Sequence, residues 1–116
     1  MSDEVTFDYV RSLKDNRQVL LIDVRNPSEL AQTGTIPGSI NIPLATLEET
    51  LQNTSDEQFR QVFRREKPTN TTPLVFSCQS GRRSRAALDL AKNLGYVNAK
   101  HFPGGWTGWV QQCKTN

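Results

Sequence analysis

Residues 74–88 read LVFSCQSGRRSRAAL: an apolar run, a cysteine, a short basic loop and the start of an amphipathic segment. The apolar run predicts a buried strand, and the spacing of Ala87, Ala91 and Leu94 predicts a helix after it. A strand that leads directly into a helix is the repeating unit of a parallel α/β sheet. Ligands of such sheets bind at the carboxyl ends of the strands. Cys78 is therefore expected at the functional edge of the molecule.

The loop after Cys78 has the composition of an anion-binding site. A helix N-terminus presents free N–H groups and about half a positive charge, and such surroundings lower the pKa of a thiol from its ordinary ~8.5. Gly81 permits a tight curl that turns backbone N–H groups toward the sulfur. Arg82 and Arg83 are candidates for charge-assisted hydrogen bonds to a sulfonate or phosphate. These residues predict a reactive thiolate inside an anion-binding loop.

The size of this loop discriminates between two kinds of cysteine chemistry. Four residues separate Cys78 from Arg83, whereas cysteine-based phosphatases place five between nucleophile and arginine and so enclose a tetrahedral phosphate. The tighter loop favours a terminal sulfur atom bonded to the cysteine. Ser84 is expected to cap the following helix, and Ser80 to hydrogen-bond to the sulfur or the ligand. A phosphatase or an arsenate reductase is disfavoured and stays an alternative.

The composition is that of one compact domain. The chain has 116 residues, 35% of them hydrophobic, and a formal net charge of +2. We expect one domain over 1–116, with its core over about 5–113. So small a net charge does not indicate a nucleic-acid partner. The cysteines, Cys78 and Cys113, and the single histidine, His101, are too few for a disulfide scaffold or a metal cluster. We expect no metal, no cofactor and a monomer.

The amino end shows no targeting signal. Residues 1–5 read MSDEV, with acidic residues where a signal peptide or transit peptide would have basic and apolar ones. No run in the chain approaches the ~18 apolar residues needed to cross a bilayer. These features predict a cytoplasmic protein without a membrane anchor, with the mitochondrial matrix as the alternative. A reducing compartment would keep the thiolate usable.

The rest of the chain alternates strand and helix patterns. Apolar runs predict further strands at Val19–Val24, Ser39–Ile42 and Tyr96–Phe102. Capping residues and helical spacing predict helices that begin after Thr6, at Asn26 and Pro27, at Leu44, after Ser55 and at Trp106. Strands that alternate with helices imply right-handed βαβ units and one parallel sheet between helical layers.

Four stretches, in chain order, resemble a known family. They read LIDVRNPSE at 21–29, GTIPGSINIP at 34–43, CQSGRRS at 78–84 and GGWTGW at 104–109. The third is similar to the Cys-x-x-Gly-x-Arg loop of the rhodanese sulfurtransferases, and the other three resemble further signature segments of that family. One departure is Thr35, where the family often has His, so no catalytic role is carried over to this position.

The resemblance implies both a fold and a reaction. The fold is α/β: a single rhodanese-like domain with a five-stranded parallel sheet flanked by helices on both faces. The reaction is a sulfur transfer in which Cys78 alternates between thiolate and persulfide. Its donor is thiosulfate, and its acceptor is glutathione, a thioredoxin-like protein or cyanide. The chain looks most like the small animal thiosulfate sulfurtransferases associated with glutathione.

The loop and the resemblance together define the expected site. Cys78 is the expected nucleophile. The expected substrate-binding residues are Arg25, Gln79, Ser80, Gly81, Arg82, Arg83 and Ser84. Asp23 and Glu29 match the family's first segment and are expected to support the site structurally.

Other interpretations stay open. A non-enzymatic or weakly active module that carries persulfide from a partner protein would share the same loop, and mercaptopyruvate is an alternative donor. Cys113 is expected to be passive, and His101 to be structural rather than a general base. Trp106 and Trp109 lie three residues apart, which favours core packing over a ligand cage.

Overall fold

The computed structural model describes residues 3–115, in which helices and strands alternate. The strands are β1 (Leu20–Asp23), β2 (Ser39–Asn41), β3 (Leu74–Ser77) and β4 (Ala99–His101). The helices are α1 (Phe7–Arg11), α2 (Pro27–Thr33), α3 (Leu44–Asn53), α4 (Asp56–Phe63), α5 (Arg82–Asn93) and α6 (Gly105–Thr115). The predicted α/β fold class is confirmed. No helix in the described range is long and apolar enough to cross a membrane; residues 1 and 2 of the amino-terminal stretch lie outside that range.

The strands of the described residues form one parallel sheet in the order β2-β1-β3-β4. In the middle of the sheet, Ile22 of β1 lies opposite Ile40 of β2 and Phe76 of β3. β1 and β3 are buried along their whole length. This burial on both faces is the reason that their apolar runs are continuous rather than alternating.

The expectation of five strands is wrong, because the described residues contain four. The amino-terminal segment does approach the free edge of β4: the Val5 amide donates to the His101 carbonyl at 3.0 Å, and the His101 amide donates to the Asp3 carbonyl at 2.9 Å. This pairing stays a single parallel bridge between Glu4 and His101, since Thr6 already caps α1. The residue pattern alone predicts the four strands, and the fifth was implied only by the resemblance.

Each face of the sheet carries its own helices. One core cluster combines Ile22 of the sheet with side chains of α3, α4 and α5: Leu47, Leu51, Phe59 and Leu88. The other combines Leu21 with side chains before β1 and in α6: Val10, Leu13, Trp106 and Trp109. Neighbouring residues of β1 thus face opposite layers, as side chains of a strand must. Helices on both faces of the sheet are confirmed.

Three helices begin at the predicted capping residues. Thr6 and Ser55 each accept a hydrogen bond from the backbone amide three residues further on. At the start of α2, the Asn26 amide donates to Glu29 Oε1 at 3.0 Å, and the Glu29 amide donates to the Asn26 carbonyl oxygen at 2.9 Å. These bonds satisfy amide groups that have no partner inside a helix.

The start of α5 differs from the prediction. Its N-cap is Gly81, with a φ of 98°, a left-handed conformation that glycine adopts without steric cost. Ser84 lies in the first turn instead, where its buried hydroxyl is 3.1 Å from the Gly81 carbonyl oxygen. The prediction that Ser84 caps this helix is therefore wrong, because the tight curl at Gly81 already starts it.

The last strand is shorter than predicted. Of the expected strand Tyr96–Phe102, only Ala99–His101 pairs with β3. The Tyr96 amide donates instead to the Ala91 carbonyl at 3.0 Å, which closes the end of α5 through Gly95, whose φ is 98°. The apolar character of Tyr96 thus reflects packing at a helix end.

Candidate active site

Cys78 directly follows β3 at the carboxyl end of the sheet, as predicted. It is buried, with 1% of the residue exposed. Its Sγ accepts hydrogen bonds from the backbone amides of Gly81 at 3.1 Å and Ser84 at 3.3 Å. The second amide belongs to the first turn of α5, where N–H groups lack partners within the helix. The sulfur therefore occupies the place where a helix N-terminus binds an anion.

These surroundings favour the thiolate form of Cys78. Burial is the largest single influence and raises the pKa of the thiol. Hydrogen bonds from the amides of Ser84, Gly81 and Ser80 and from the Ser84 hydroxyl together outweigh it, so the pKa lies below its usual value. The thiolate is the nucleophilic form of cysteine. The loop therefore increases the reactive fraction of the thiol.

The first turn of α6 binds the carbonyl groups of the same loop. The Trp106 amide donates to the Cys78 carbonyl oxygen at 2.8 Å, and the Thr107 amide donates to that of Gln79 at 3.1 Å. A Cβ atom on Gly105 would lie 2.5 Å from the Cys78 carbonyl oxygen, so this approach requires glycine. With its carbonyl groups engaged by α6, the loop keeps its amides available to the sulfur.

Arg25 and Asp23 form a buried ion pair beside the loop. The Arg25 Nη2 atom lies 2.8 Å from Asp23 Oδ2, and both side chains are almost fully buried. The guanidinium also lies 5.3 Å from the ring centroid of Trp106, within the range of a cation–π contact. Its remaining N–H groups reach three acceptors: the Thr33 hydroxyl at 2.9 Å, the Gly34 carbonyl at 3.1 Å and Gln79 Oε1 at 3.4 Å. Arg25 therefore supports the loop through its contact with Gln79. Direct contact between Arg25 and the sulfur-donor substrate stays a prediction.

Arg82 and Arg83 have different surroundings. Arg83 is half-buried and donates to both carboxylate oxygens of Glu29, at 2.6 and 2.9 Å. The bond to Glu29 chiefly raises the pKa of Arg83, and the charge of the nearby Cys78 raises it further. Arg82 is exposed, and no ion pair or hydrogen bond of its side chain occurs among residues 3–115. Arg83 is therefore anchored beside the sulfur, while Arg82 can turn toward a ligand.

Ser84 connects the sulfur to a buried histidine. The Ser84 Oγ atom lies 2.9 Å from His101 Nδ1. The same hydroxyl contributes to lowering the pKa of Cys78. The Nε2 atom of His101 has no hydrogen-bond partner in the described part of the chain. Burial is the main influence on His101 and lowers its pKa, which favours the neutral ring. His101 can therefore affect Cys78 through Ser84.

The remaining candidates are exposed at the surface. Ser80 is exposed at the apex of the loop and contributes its amide, and Thr35 is exposed between α2 and β2. Cys113 is an exposed free cysteine in α6. Among residues 3–115, no group of three or more His, Cys, Asp or Glu side chains could hold a metal ion.

Two supporting residues were missed by the sequence analysis. Asn41 donates from Nδ2 to the carbonyl oxygens of Asp23 and Arg25, both at 2.9 Å, and so fixes the chain where it leaves β1. The Thr107 hydroxyl accepts a hydrogen bond of 2.9 Å from Gln79 Nε2. Both residues lie inside stretches that carried the resemblance, and a polar residue within an otherwise apolar segment was the available signal.

Sequence comparisons agree with the resemblance. The chain matches the family described as Rhodanese-like domain over residues 6–112. It is 44% identical over 106 residues to thiosulfate sulfurtransferase/rhodanese-like domain-containing protein 3 of Mus musculus, covering 91% of this chain and 67% of that protein. It is 38% identical over 109 residues to thiosulfate:glutathione sulfurtransferase of Homo sapiens, covering 93% of each. It is 37% identical over 107 residues to the mitochondrial thiosulfate sulfurtransferase RDL2 of Saccharomyces cerevisiae, covering 90% of this chain and 70% of that protein.

A solved structure has the same architecture. The human single-domain sulfurtransferase TSTD1 superposes with a TM-score of 0.84 at 37% identity, covering 97% of this chain and 98% of that one. The resemblance drawn from four sequence stretches is thereby confirmed.

Proposed function

The chain belongs to the rhodanese-like domain family, and from this premise we propose that it is a sulfurtransferase. It moves the sulfane sulfur of thiosulfate to a small thiol such as glutathione. The observation that carries the proposal is the Cys78 sulfur, which accepts two amide hydrogen bonds at the amino end of α5. Relatives named thiosulfate sulfurtransferase and thiosulfate:glutathione sulfurtransferase support this choice of donor and acceptor.

In the first step, the Cys78 thiolate attacks the outer sulfur of thiosulfate. A sulfur–sulfur bond forms between Cys78 and that atom, and the sulfur–sulfur bond of thiosulfate breaks. The electron pair of the broken bond leaves with sulfite. Cys78 now carries a persulfide whose outer sulfur bears the negative charge.

In the second step, a thiolate acceptor attacks the outer sulfur of the persulfide. A new bond joins this sulfur to the acceptor, the bond between this sulfur and Cys78 Sγ breaks, and the electron pair of the broken bond returns to Cys78 as the thiolate. The protein ends in its starting state, so no oxidant or reductant is consumed. Because the cycle regenerates the Cys78 thiolate, it requires only one cysteine at the site.

The loop residues have distinct roles in this scheme. The amides that bind Cys78 Sγ stabilise the thiolate as nucleophile and again as leaving group. The wall of this anion-binding loop is formed by Gln79, Ser80, Gly81 and Ser84. Arg82 meets the anionic donor, and Arg83 adds its charge beside the sulfur while bound to Glu29. Arg25 acts mainly by holding the loop in place.

Intact-mass spectrometry after mixing with thiosulfate tests the proposal. Wild-type protein should gain the mass of one sulfur atom, release one equivalent of sulfite and lose the added mass when glutathione follows. Cys78→Ser should do none of these, whereas the matched Cys113→Ser variant should behave like wild type. Full sulfite release by Cys78→Ser would overturn the proposal. A mass gain that requires a persulfidated partner protein would instead identify a carrier module.

We also propose that the protein acts as a monomer in the cytoplasm. The mitochondrial matrix is the alternative, which the name of the yeast relative supports. A thioredoxin-like protein or cyanide would serve as acceptor through the same second step.

A further inference from the structure

A groove opens beside the active-site loop and follows α6. Its volume is about 510 Å³, within the ~300–1,000 Å³ typical of small-molecule sites. Its lining consists of Gln79 and five residues of α6: Trp106, Thr107, Val110, Gln111 and Lys114. Because Gln79 is the residue after Cys78, one end of the groove adjoins the loop that holds the reactive sulfur.

The groove has the length of a short peptide. From Trp106 to Lys114, α6 advances about 12 Å at ~1.5 Å per residue. A fully extended tripeptide measures about 10–11 Å. A molecule of this size would therefore extend from the loop to the last turn of α6.

The charges of the groove favour an anionic ligand. Lys114 is its only charged lining residue, and within residues 3–115 this lysine forms no ion pair. α6 itself contains no acidic residue. The other polar side chains are the amides of Gln79 and Gln111 and the hydroxyl of Thr107, which suit the peptide groups of a ligand. A carboxylate near Lys114 would meet a positive charge without a competing anion.

The end of the groove nearest Cys78 is held in place by the protein. The side-chain amide of Gln79 donates to the Thr107 hydroxyl and accepts from the Arg25 guanidinium. The Trp106 ring lies against the same guanidinium. Such a wall loses little conformational freedom when a ligand binds. The opposite end, at Lys114, is exposed and can adapt to the ligand.

We propose that this groove binds the acceptor of the second step, and that the acceptor is a peptide-like thiol carrying a carboxylate. The inference rests on the proposed function and deepens it by naming the surface that selects the acceptor. The thiol passes Gln79 to reach the persulfide of Cys78, while the carboxylate reaches Lys114. Glutathione has this size and these groups.

A comparison of two acceptors tests the proposal. The ratio of kcat/KM for glutathione to kcat/KM for 2-mercaptoethanol, which lacks a carboxylate, should fall about three- to tenfold in Lys114→Gln. It should fall further in Lys114→Glu. The KM for thiosulfate should not change in either variant. Lys14→Gln is the matched control, since Lys14 lies before β1 and close to Gly38, which precedes β2. Its ratio should equal that of wild type.

Binding of S-methylglutathione, measured by calorimetry, separates this inference from the proposed function. This thioether cannot accept sulfur, so its affinity is independent of turnover. Wild-type protein and Lys14→Gln should bind it alike, and Lys114→Gln should bind it about three- to tenfold more weakly. Equal binding by all three proteins would overturn the groove as the acceptor site, even with full sulfur transfer. Absence of sulfite release with normal binding would overturn the proposed function alone.

Discussion

Glu29 and Arg83 form a two-point ion pair across 54 positions of the chain, with Arg83 Nη1 2.6 Å from Glu29 Oε1 and Arg83 Nη2 2.9 Å from Oε2. Glu29 Oε1 also accepts the Asn26 amide at 3.0 Å. One carboxylate therefore joins the start of α2 to the first turn of α5. This contact connects the family's first segment to the loop and restrains one of its two arginines.

The first prediction concerns this ion pair. Arg83 chiefly, together with the Asn26 amide, lowers the pKa of Glu29 to about 2. Because the folded pKa is depressed, the stabilisation is fully present above the unfolded pKa of ~4.3 and is lost as pH falls toward about 2. Glu29→Gln should lower the free energy of unfolding by about 1–2 kcal/mol at pH 7, after allowance for solvent screening. Denaturant unfolding at several pH values should show this difference shrinking below pH ~4.

Substitutions of the two loop arginines should have different effects on the free energy of unfolding and on the KM for thiosulfate. Arg83→Ala should lose stability like Glu29→Gln and also raise the KM for thiosulfate. Arg82→Ala should raise this KM by about 10- to 150-fold, the equivalent of losing one charge-assisted bond of about 1.5–3 kcal/mol, and leave the free energy of unfolding unchanged. A wild-type KM in both variants would contradict an anion-binding role for the loop arginines.

The second prediction concerns the pH dependence of Cys78. The rate of alkylation by iodoacetamide should follow the thiolate fraction, with a midpoint below the usual pKa of a cysteine thiol, because amides and the Ser84 hydroxyl outweigh burial. Ser84→Ala should shift this midpoint upward by about 0.5–1 pH unit, which corresponds to about 0.7–1.4 kcal/mol for one hydrogen bond. The assay should use Cys113→Ser as background, since Cys113 is exposed.

His101 should influence the pH dependence of Cys78 alkylation only through Ser84. With Nδ1 donating to Ser84 Oγ, the Ser84 hydroxyl keeps its own proton for other acceptors. His101→Leu removes this bond and should shift the alkylation midpoint in the same direction as Ser84→Ala. His101→Asn can replace that bond and should restore part of the shift. A purely structural histidine would alter the unfolding free energy in both variants while leaving the midpoint where it is in wild type.

The third prediction concerns the buried pair of Asp23 and Arg25. Removing one partner leaves the other charge buried without compensation, which costs about 3–5 kcal/mol. Asp23→Asn and Arg25→Met should each lower the free energy of unfolding by this amount. The double variant should lose less than the sum of the two. Strict additivity would show that the two side chains do not stabilise each other.

The fourth prediction compares two glycines of α6. Gly105→Ala should prevent the contact between α6 and the loop, because its Cβ would lie 2.5 Å from the Cys78 carbonyl oxygen and its φ is 59°. We expect a loss of more than about 2 kcal/mol in stability and a slower alkylation of Cys78. Gly108→Ala is the control: the nearest side-chain atom is 3.9 Å from its Cβ position. This helical position should gain about 0.5–1 kcal/mol.

Local patterns predict the elements of this fold because each pattern acts within a few residues. Continuous apolar runs identified β1 and β3, since strands covered on both faces have no polar side to alternate with. Thr6 and Ser55 marked helix starts, since a capping side chain bonds to an amide three positions away. The place of Cys78 between β3 and α5 follows from the same local rules. Where the resemblance was used in place of residues, for the fifth strand, the expectation was wrong.

Local residue patterns were sufficient to predict the order of strands and helices, the position of the cysteine and the glycine that curls its loop. Which charges meet depends on the tertiary structure: Arg83 pairs with Glu29, and Arg25 pairs with Asp23 in the interior. The tertiary structure also decided that Ser84 bonds to His101 and that α6 binds the loop carbonyls. These contacts join segments far apart in the chain, so they depend on strand order, register and side-chain rotamers, for which no local pattern exists.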